Sequence, residues 1–312
     1  MKKLIYLFLV LAVFGCKEKS KQVEETVVSK SVKSETETQV IEKEVQTNLD
    51  EYVSLIDSLN VYDISSIKVL KDYINNKLCV SGELADSAYY LFFDFFYTST
   101  KNLTDSLETK YPNLVEKLYR HEEDSEVREF LELLNDCGLD LFSTEENFYV
   151  NVQPDFFYET FKNNSSPSLK TFLELRNGDL KNGFSENAML LISFNNLADR
   201  VYNWDKYLNN YPDTKLLNDE ANYFLKIYLE TYLTGMENTR LFDRESRILL
   251  PEVKLSYESY IKNHADTKSG MIIQEYYGIL QRNQFEYSDS IDYILTKYNL
   301  SLMHGIKPYA RK

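Results

Sequence analysis

Residues 185–215 read SENAMLLISFNNLADRVYNWDKYLNNYPDTK. Leu190, Phe194, Leu197, Val201, Trp204 and Leu208 follow one another at steps of 4, 3, 4, 3 and 4. That spacing tracks the turn of an α-helix and sets all six side chains on one stripe. Ser185 stands where an N-cap belongs and Pro212 where a helix must stop, so the segment predicts an amphipathic helix of about 25 residues. Residues 218–234 repeat the style. Phe224, Ile227, Tyr228 and Tyr232 share a face, and Gly235 is a natural C-cap.

Working outward, Ser166-Pro167 supplies an N-cap and a proline at the first helical position, opening a helix that runs to about Arg176. Periodicity predicts further helices over 50–60, 65–76, 83–98, 112–120, 124–136, 154–162, 251–263, 268–282 and 288–298. One segment reads differently. Gly138 looks like a helix stop, and Leu139-Asp140-Leu141 and Phe148-Tyr149-Val150-Asn151-Val152 alternate in strand-forming residues around the turn Ser143–Asn147. The expected fold is mainly α: an array of helical hairpins with one small β-hairpin near 139–152. The 9 glycines and 6 prolines in 312 residues fit that class and leave little for Gly-rich phosphate loops or many-turned β-sandwiches. The polar runs at 163–166 and 177–183 are places for an internal boundary. We divide the body at the first, into an N-terminal helical block with the β-hairpin (49–165) and a C-terminal block of helical hairpins (166–312).

A half-hidden repeat supports the hairpin array. Tyr207-Leu208-Asn209-Asn210-Tyr211-Pro212-Asp213-Thr214-Lys215 recurs 53 residues later as Tyr260-Ile261-Lys262-Asn263-His264-Ala265-Asp266-Thr267-Lys268. Each copy ends one helix, turns on Asp-Thr and begins another, with Asp or Thr to cap the new helix and Tyr to anchor the old one. Lys110-Tyr111-Pro112-Asn113 is a poorer third copy. The helix-Tyr-Pro-Asp-Thr-helix junction resembles that of tetratricopeptide-like (TPR-like) lipoproteins of the bacterial envelope, over about a hundred residues and with a period unlike the usual ~34. The resemblance implies TPR-like character for the array. Convergence of two unrelated junctions on the same residues is the plainer alternative.

The N-terminus is built as an address. Lys2 and Lys3 precede the apolar run Leu4–Phe14. At ~1.5 Å per residue the run is too short to span a ~30 Å hydrocarbon core, and it fits the apolar region of a secretory signal. Val13-Phe14-Gly15-Cys16 resembles the lipobox of bacterial lipoproteins. By that resemblance, 1–15 is a signal peptide, the Cys16 thiol receives a diacylglycerol, the chain is cut before Cys16, and the new terminus is acylated by a fatty acid such as palmitate. By resemblance to the sorting signals of diderm bacteria, Lys17, in place of an Asp, implies the outer membrane. Cys16-Lys17-Glu18-Lys19 loosely resembles signals that carry some lipoproteins to the cell surface, so the domain belongs on the periplasmic face or outside. An ordinary signal peptide with a chance cysteine is the bland alternative. Residues 17–48 hold no aromatic side chain. They cannot bury enough apolar surface to offset ordering entropy, so 16–48 reads as a lipidated cysteine and a disordered tether reaching roughly 30 Å. Its valines do not sustain a coiled-coil heptad.

The formal net charge is -14. The tether nets -1 and the leader +2, which leaves -15 for 49–312. An acidic body argues against nucleic acid as a partner. Three cysteines exclude a four-thiolate zinc site. With Cys16 acylated, Cys79 and Cys137 remain, each beside a predicted loop and a glycine. They can pair outside the cytoplasm, or both can stay as buried thiols. His121, His264 and His304 form no metal-binding pair, and His121-Glu122-Glu123-Asp124 reads as a solvated helix start more readily than as a metal site. Ser65–Lys68 and Ser259–Lys262 match S-x-x-K without the companion motifs of the penicillin-binding family. No cofactor is implied and no catalytic residue stands out. Trp204, on the apolar stripe, belongs to the core, and the 25 Tyr and 18 Phe are mostly packing. The expectation is a lipid-anchored envelope protein with a non-enzymatic helical interaction or scaffold module for a protein or peptide partner. The alternative is a glycan- or solute-binding lipoprotein using exposed Tyr and Phe. An envelope hydrolase comes third, and whether the chain catalyses anything is left open.

Overall fold

The computed structural model describes residues 48–78, 80–143 and 147–300. The leader, Cys16, the tether up to residue 47, Cys79 and His304 lie outside the described residues.

The chain is mainly helical. A first helix, α1, covers 48–58. Then come α2 (Ser65–Asn76), α3 (Glu83–Lys110), α4 (Pro112–Tyr119) and α5 (Ser125–Asp136). The strands β1 (Leu139–Ser143) and β2 (Phe148–Val152) follow, then α6 (Phe156–Phe161) and α7 (Pro167–Asn182). Two short strands, β3 (Ser185–Glu186) and β4 (Met189–Leu190), lead into α8 (Phe194–Asn210), α9 (Lys215–Thr234), α10 (Pro251–His264), α11 (Lys268–Arg282) and α12 (Ser290–Lys297). β1 and β2 form the expected antiparallel hairpin, in register from Leu139↔Val152 to Ser143↔Phe148. Among the described residues no helix is long and apolar enough to cross a membrane.

Three boundaries depart from the sequence reading. The decisive helix starts at Phe194, capped by Ser193, whose side chain accepts from Asn196 N; Ser185 is not its cap. Residues 185–190 instead pair as a miniature hairpin whose two turn residues, Asn187 and Ala188, have φ of 48° and 56°. Two successive positive φ values match strand twist at a two-residue turn. Leu190 thus leaves the helical stripe but stays buried. Second, α3 runs to Lys110, past the predicted end at 98. Phe92, Phe96, Ser99, Leu103 and Leu107 are all buried along it. The apolar stripe outlasts the polar stretch, and Thr100 and Ser106 return their hydroxyls to the carbonyls of Phe96 and Asn102. Third, α7 runs through Asn177-Gly178 to Asn182. The Asn177 side chain does not fold back into a turn because Asp155 engages it: Oδ1 accepts from Asp155 N at 2.7 Å and Nδ2 donates to Asp155 Oδ1 at 2.5 Å.

The repeated junctions both join consecutive helices. Tyr211, at the end of α8, has φ -129° and ψ 59°, and Tyr111, at the end of α3, has φ -129° and ψ 51°. Both precede proline, which drives the residue before it out of the helical region. In the second copy Ala265 replaces the proline, so α10 continues through His264 and the turn is tighter. Thr267 caps α11 by accepting from Gly270 N at 2.9 Å, while the Thr214 hydroxyl donates to Tyr211 O and caps nothing. Thr267→Ala should therefore cost about 1 kcal/mol. Thr214→Ala should cost clearly less, and urea unfolding of the two variants side by side checks this. A buried carboxylate on α8, Asp205, adds a second anchor by accepting from Ser269 N in the first turn of α11 at 2.7 Å.

Tyrosine builds much of the core. Tyr232, Tyr257 and Tyr276 are fully buried. Their hydroxyls meet Ser256 Oγ, Tyr232 O and Leu233 O at 2.8, 2.6 and 2.7 Å. A buried phenol with its hydroxyl satisfied packs a large apolar ring at little polar cost. In the N-terminal part, Tyr89, Phe92 and Phe96 of α3 interlock with Phe156, Phe157 and Phe161 of α6.

Candidate functional site

A cleft of about 500 Å³ opens where α3, β2, α6, α7 and α9 meet. Its origin is legible in one nonapeptide. Residues 89–97 read YYLFFDFFY. A helix that carries rings on every side cannot turn them all to one core, so part of the set is left to line a second surface. Tyr89, Phe93 and Phe96 form the cleft wall with Phe156 and Phe157 of α6. Phe96 and Phe157 meet edge to face, with ring centroids 4.9 Å apart at 69°. Such edge-to-face contacts favour fixed ring orientations in the wall. Two tyrosines stand at the rim: Tyr97 on α3, 62% exposed, and Tyr149 on β2, 39% exposed. Tyr149 stacks on its cross-strand partner Phe142 at 5.5 Å and 17°.

The polar lining falls into paired and unpaired charges. Lys101 is bound to Asp105, one turn apart on α3. Asp155 is bound to Lys181 at 2.7 Å and to Asn177, and these two partners, Lys181 first, hold its carboxyl below the usual range. Asp155 also has φ of 69°, a left-handed conformation that Asp tolerates better than most residues. Arg176 of α7 stacks its guanidinium 3.8 Å from the centre of the Phe224 ring. Glu220 of α9 faces the same space. Burial pushes its carboxyl above the usual range, and the field of Arg176 only partly offsets that. Among the described residues neither side chain makes a hydrogen bond or ion pair with the other or with any further group.

The sign of the Glu220 effect is testable. A carboxyl whose folded pKa lies above its unfolded one makes the fold bind more protons. Its penalty is absent below the unfolded value and complete once pH passes the folded one. Glu220→Gln should therefore raise the melting temperature at pH 7, and the gain should vanish near pH 4. An equal gain at both pH values would mean that charge is not the cause.

The residues singled out in the sequence lie elsewhere. Cys137 is a buried free thiol, pushed up to about 11 by burial, and its Sγ donates to Ile64 O at 3.2 Å. Cys79, its suggested partner, lies outside the described residues. His264 stacks on Tyr202, rings 3.8 Å apart. His121 is exposed in the turn before α5, where Asp124 caps the helix by accepting from Val127 N and pairs with Lys117. Ser65 donates to Asp63 Oδ1, so Asp63 anchors the start of α2. Ser259 is exposed on α10. Trp204 is buried, and its Nε1 donates to Asp179 Oδ2 at 3.0 Å. Among the described residues no three His, Cys, Asp or Glu side chains gather as metal ligands. Arg176, Glu220, Tyr97 and Tyr149 escaped the sequence reading, because only the fold brings α3, β2, α7 and α9 to one place. Compared with family models, curated proteins and solved structures, the chain matches none.

Proposed function

We propose that the chain is a lipid-anchored protein of the bacterial outer membrane whose helical body binds a small organic ligand in the aromatic cleft. One observation carries this reading: a concave hollow of about 500 Å³ with mostly apolar, ring-rich walls and polar and charged groups among its lining. Ligand sites have that composition, with apolar walls for affinity and sparse polar groups for orientation. The burial of Glu220, only partly offset by the field of Arg176, supports it, since a group held at a cost to stability suits a functional use. A concave, half-open cleft suits a solute better than it suits a flat partner surface, which favours solute binding over scaffolding. Among the described residues lining the cleft, Asp155 is tied to Lys181 and Asn177 and Asp105 to Lys101, so no second unpaired carboxylate joins Glu220 there to favour the hydrolase reading.

Thermal unfolding against a panel of free amino acids, dipeptides, mono- and disaccharides tests the binding reading. A solute at a hundred times its Kd should raise the melting temperature by roughly 5–10 °C. Tyr97→Ala, at the exposed rim, should abolish most of that shift without lowering the unliganded melting temperature. A panel in which no member moves the transition would contradict the reading. The anchor is tested separately by palmitate labelling. Label is expected in the wild-type chain and none in Cys16→Ala; an unlabelled wild type or a labelled variant sinks the lipid anchor.

A further inference from the structure

Resting on the cleft as a binding site, the charge pattern within it narrows the ligand. Two of the four charged groupings on the lining are already closed, Lys101 with Asp105 and Asp155 with Lys181. The two left open have opposite sign. Arg176 sits on α7 with one guanidinium face against Phe224, and Glu220 sits on α9. They are near enough for the guanidinium to act on the carboxyl, yet no hydrogen bond joins them. Each therefore keeps its hydrogen-bonding capacity for something that enters the cleft. Rings also line the cleft: Tyr89, Phe93 and Phe157, with Tyr97 exposed at the rim.

We infer that the cleft takes a free zwitterionic α-amino acid with a ring-bearing side chain, its carboxylate on Arg176, its ammonium on Glu220 and its ring among Phe93, Phe157 and Tyr97. Charge complementarity selects this class. A plain organic acid would satisfy Arg176 and be repelled by Glu220. A plain amine would meet the reverse conflict. A zwitterion satisfies both and carries no net charge, so the acidic body, formally -14 over the whole chain, does not repel it. A planar guanidinium is suited to grip a carboxylate through two parallel N–H bonds.

Isothermal titration of the full chain, carrying Cys16→Ser so that no acyl chain competes, separates the alternatives. The probes are L-phenylalanine, 3-phenylpropanoate, 2-phenylethylamine and methyl β-D-glucopyranoside. L-Phenylalanine should bind about tenfold or more tighter than either singly charged analogue, because each lost charge-assisted contact costs that much. Arg176→Gln should bring L-phenylalanine down to the level of 2-phenylethylamine and leave that amine's affinity unweakened. Glu220→Gln should bring it down to the level of 3-phenylpropanoate and leave that acid unweakened. If a variant fails to fold by circular dichroism, the wild-type series still decides. L-Phenylalanine binding no tighter than its analogues, or the glucoside binding best, overturns the amino-acid assignment and leaves the cleft as a ligand site. Failure of all four probes also overturns the assignment, and if the thermal panel is silent as well, the cleft reading falls with it.

Discussion

Replacing Asp179 by alanine should destabilise the body by about 3–5 kcal/mol, the largest single effect we expect. Arg200 Nε lies 3.1 Å from Asp179 Oδ1, with side-chain exposures of 8% and 10%. Trp204 Nε1 and the Tyr228 hydroxyl both donate to Asp179 Oδ2, at 3.0 and 2.8 Å. Arg200 also donates to the carbonyls of Asp179 and Gly183 at the end of α7. One carboxylate therefore gathers partners from α8 and α9 onto α7. Removing it leaves a guanidinium buried without its counter-charge and two donors without an acceptor, and desolvation of those groups is no longer offset. The pair itself need not be net stabilising against an apolar substitute. Asp179→Leu with Arg200→Met should recover most of the loss, because no charge is then left buried. Guanidinium chloride unfolding of the single and double variants measures both statements. A loss under 1 kcal/mol for Asp179→Ala would mean that water reaches Arg200 freely.

Gly270→Ala should cost about 2–3 kcal/mol by overpacking. Ordinarily the same change inside a helix gains about 1 kcal/mol. Here a Cβ would lie 1.9 Å from His264 O and 2.9 Å from Thr267 Oγ1. The first is backbone and cannot swing away, and the second is the cap of α11. The cause is the tighter second junction. Without a proline at 265, α10 keeps His264 helical and its carbonyl faces the incoming α11. The equivalent position in the first copy is Leu217, a buried side chain accommodated by the longer turn through Pro212. A melting temperature raised by Gly270→Ala would refute this packing argument; a clear drop is expected.

These two variants also mark how far the sequence could be read. Helical periodicity located most of the helices and the alternation at 139–152 located the hairpin, because both signals are local. What was misread depended on distant groups. Asn177-Gly178 reads as the end of a helix until Asp155 occupies the asparagine side chain. Ser185 reads as a cap until Asn187 and Ala188 turn the chain back into a strand pair. Arg200 lies one turn before Trp204 on the apolar stripe, a charge in an apolar row that signals a buried partner, but the partner on α7 is set by packing alone. For the cleft, the ring-crowded segment 89–97 was the available clue. Arg176 and Glu220 carry no mark in the sequence, since their meaning comes from being brought together across α7 and α9 without bonding to each other.

Hydrogen exchange read by mass spectrometry most directly tests whether the cleft is where this protein meets its ligand. The panel solute with the largest thermal shift should slow exchange in peptides covering 149–158 and 173–180, the β2–α6 and α7 walls, and leave α10 to α12 unchanged. Protection confined to α10–α12, or slowing spread evenly over the body, would contradict a binding site in the cleft.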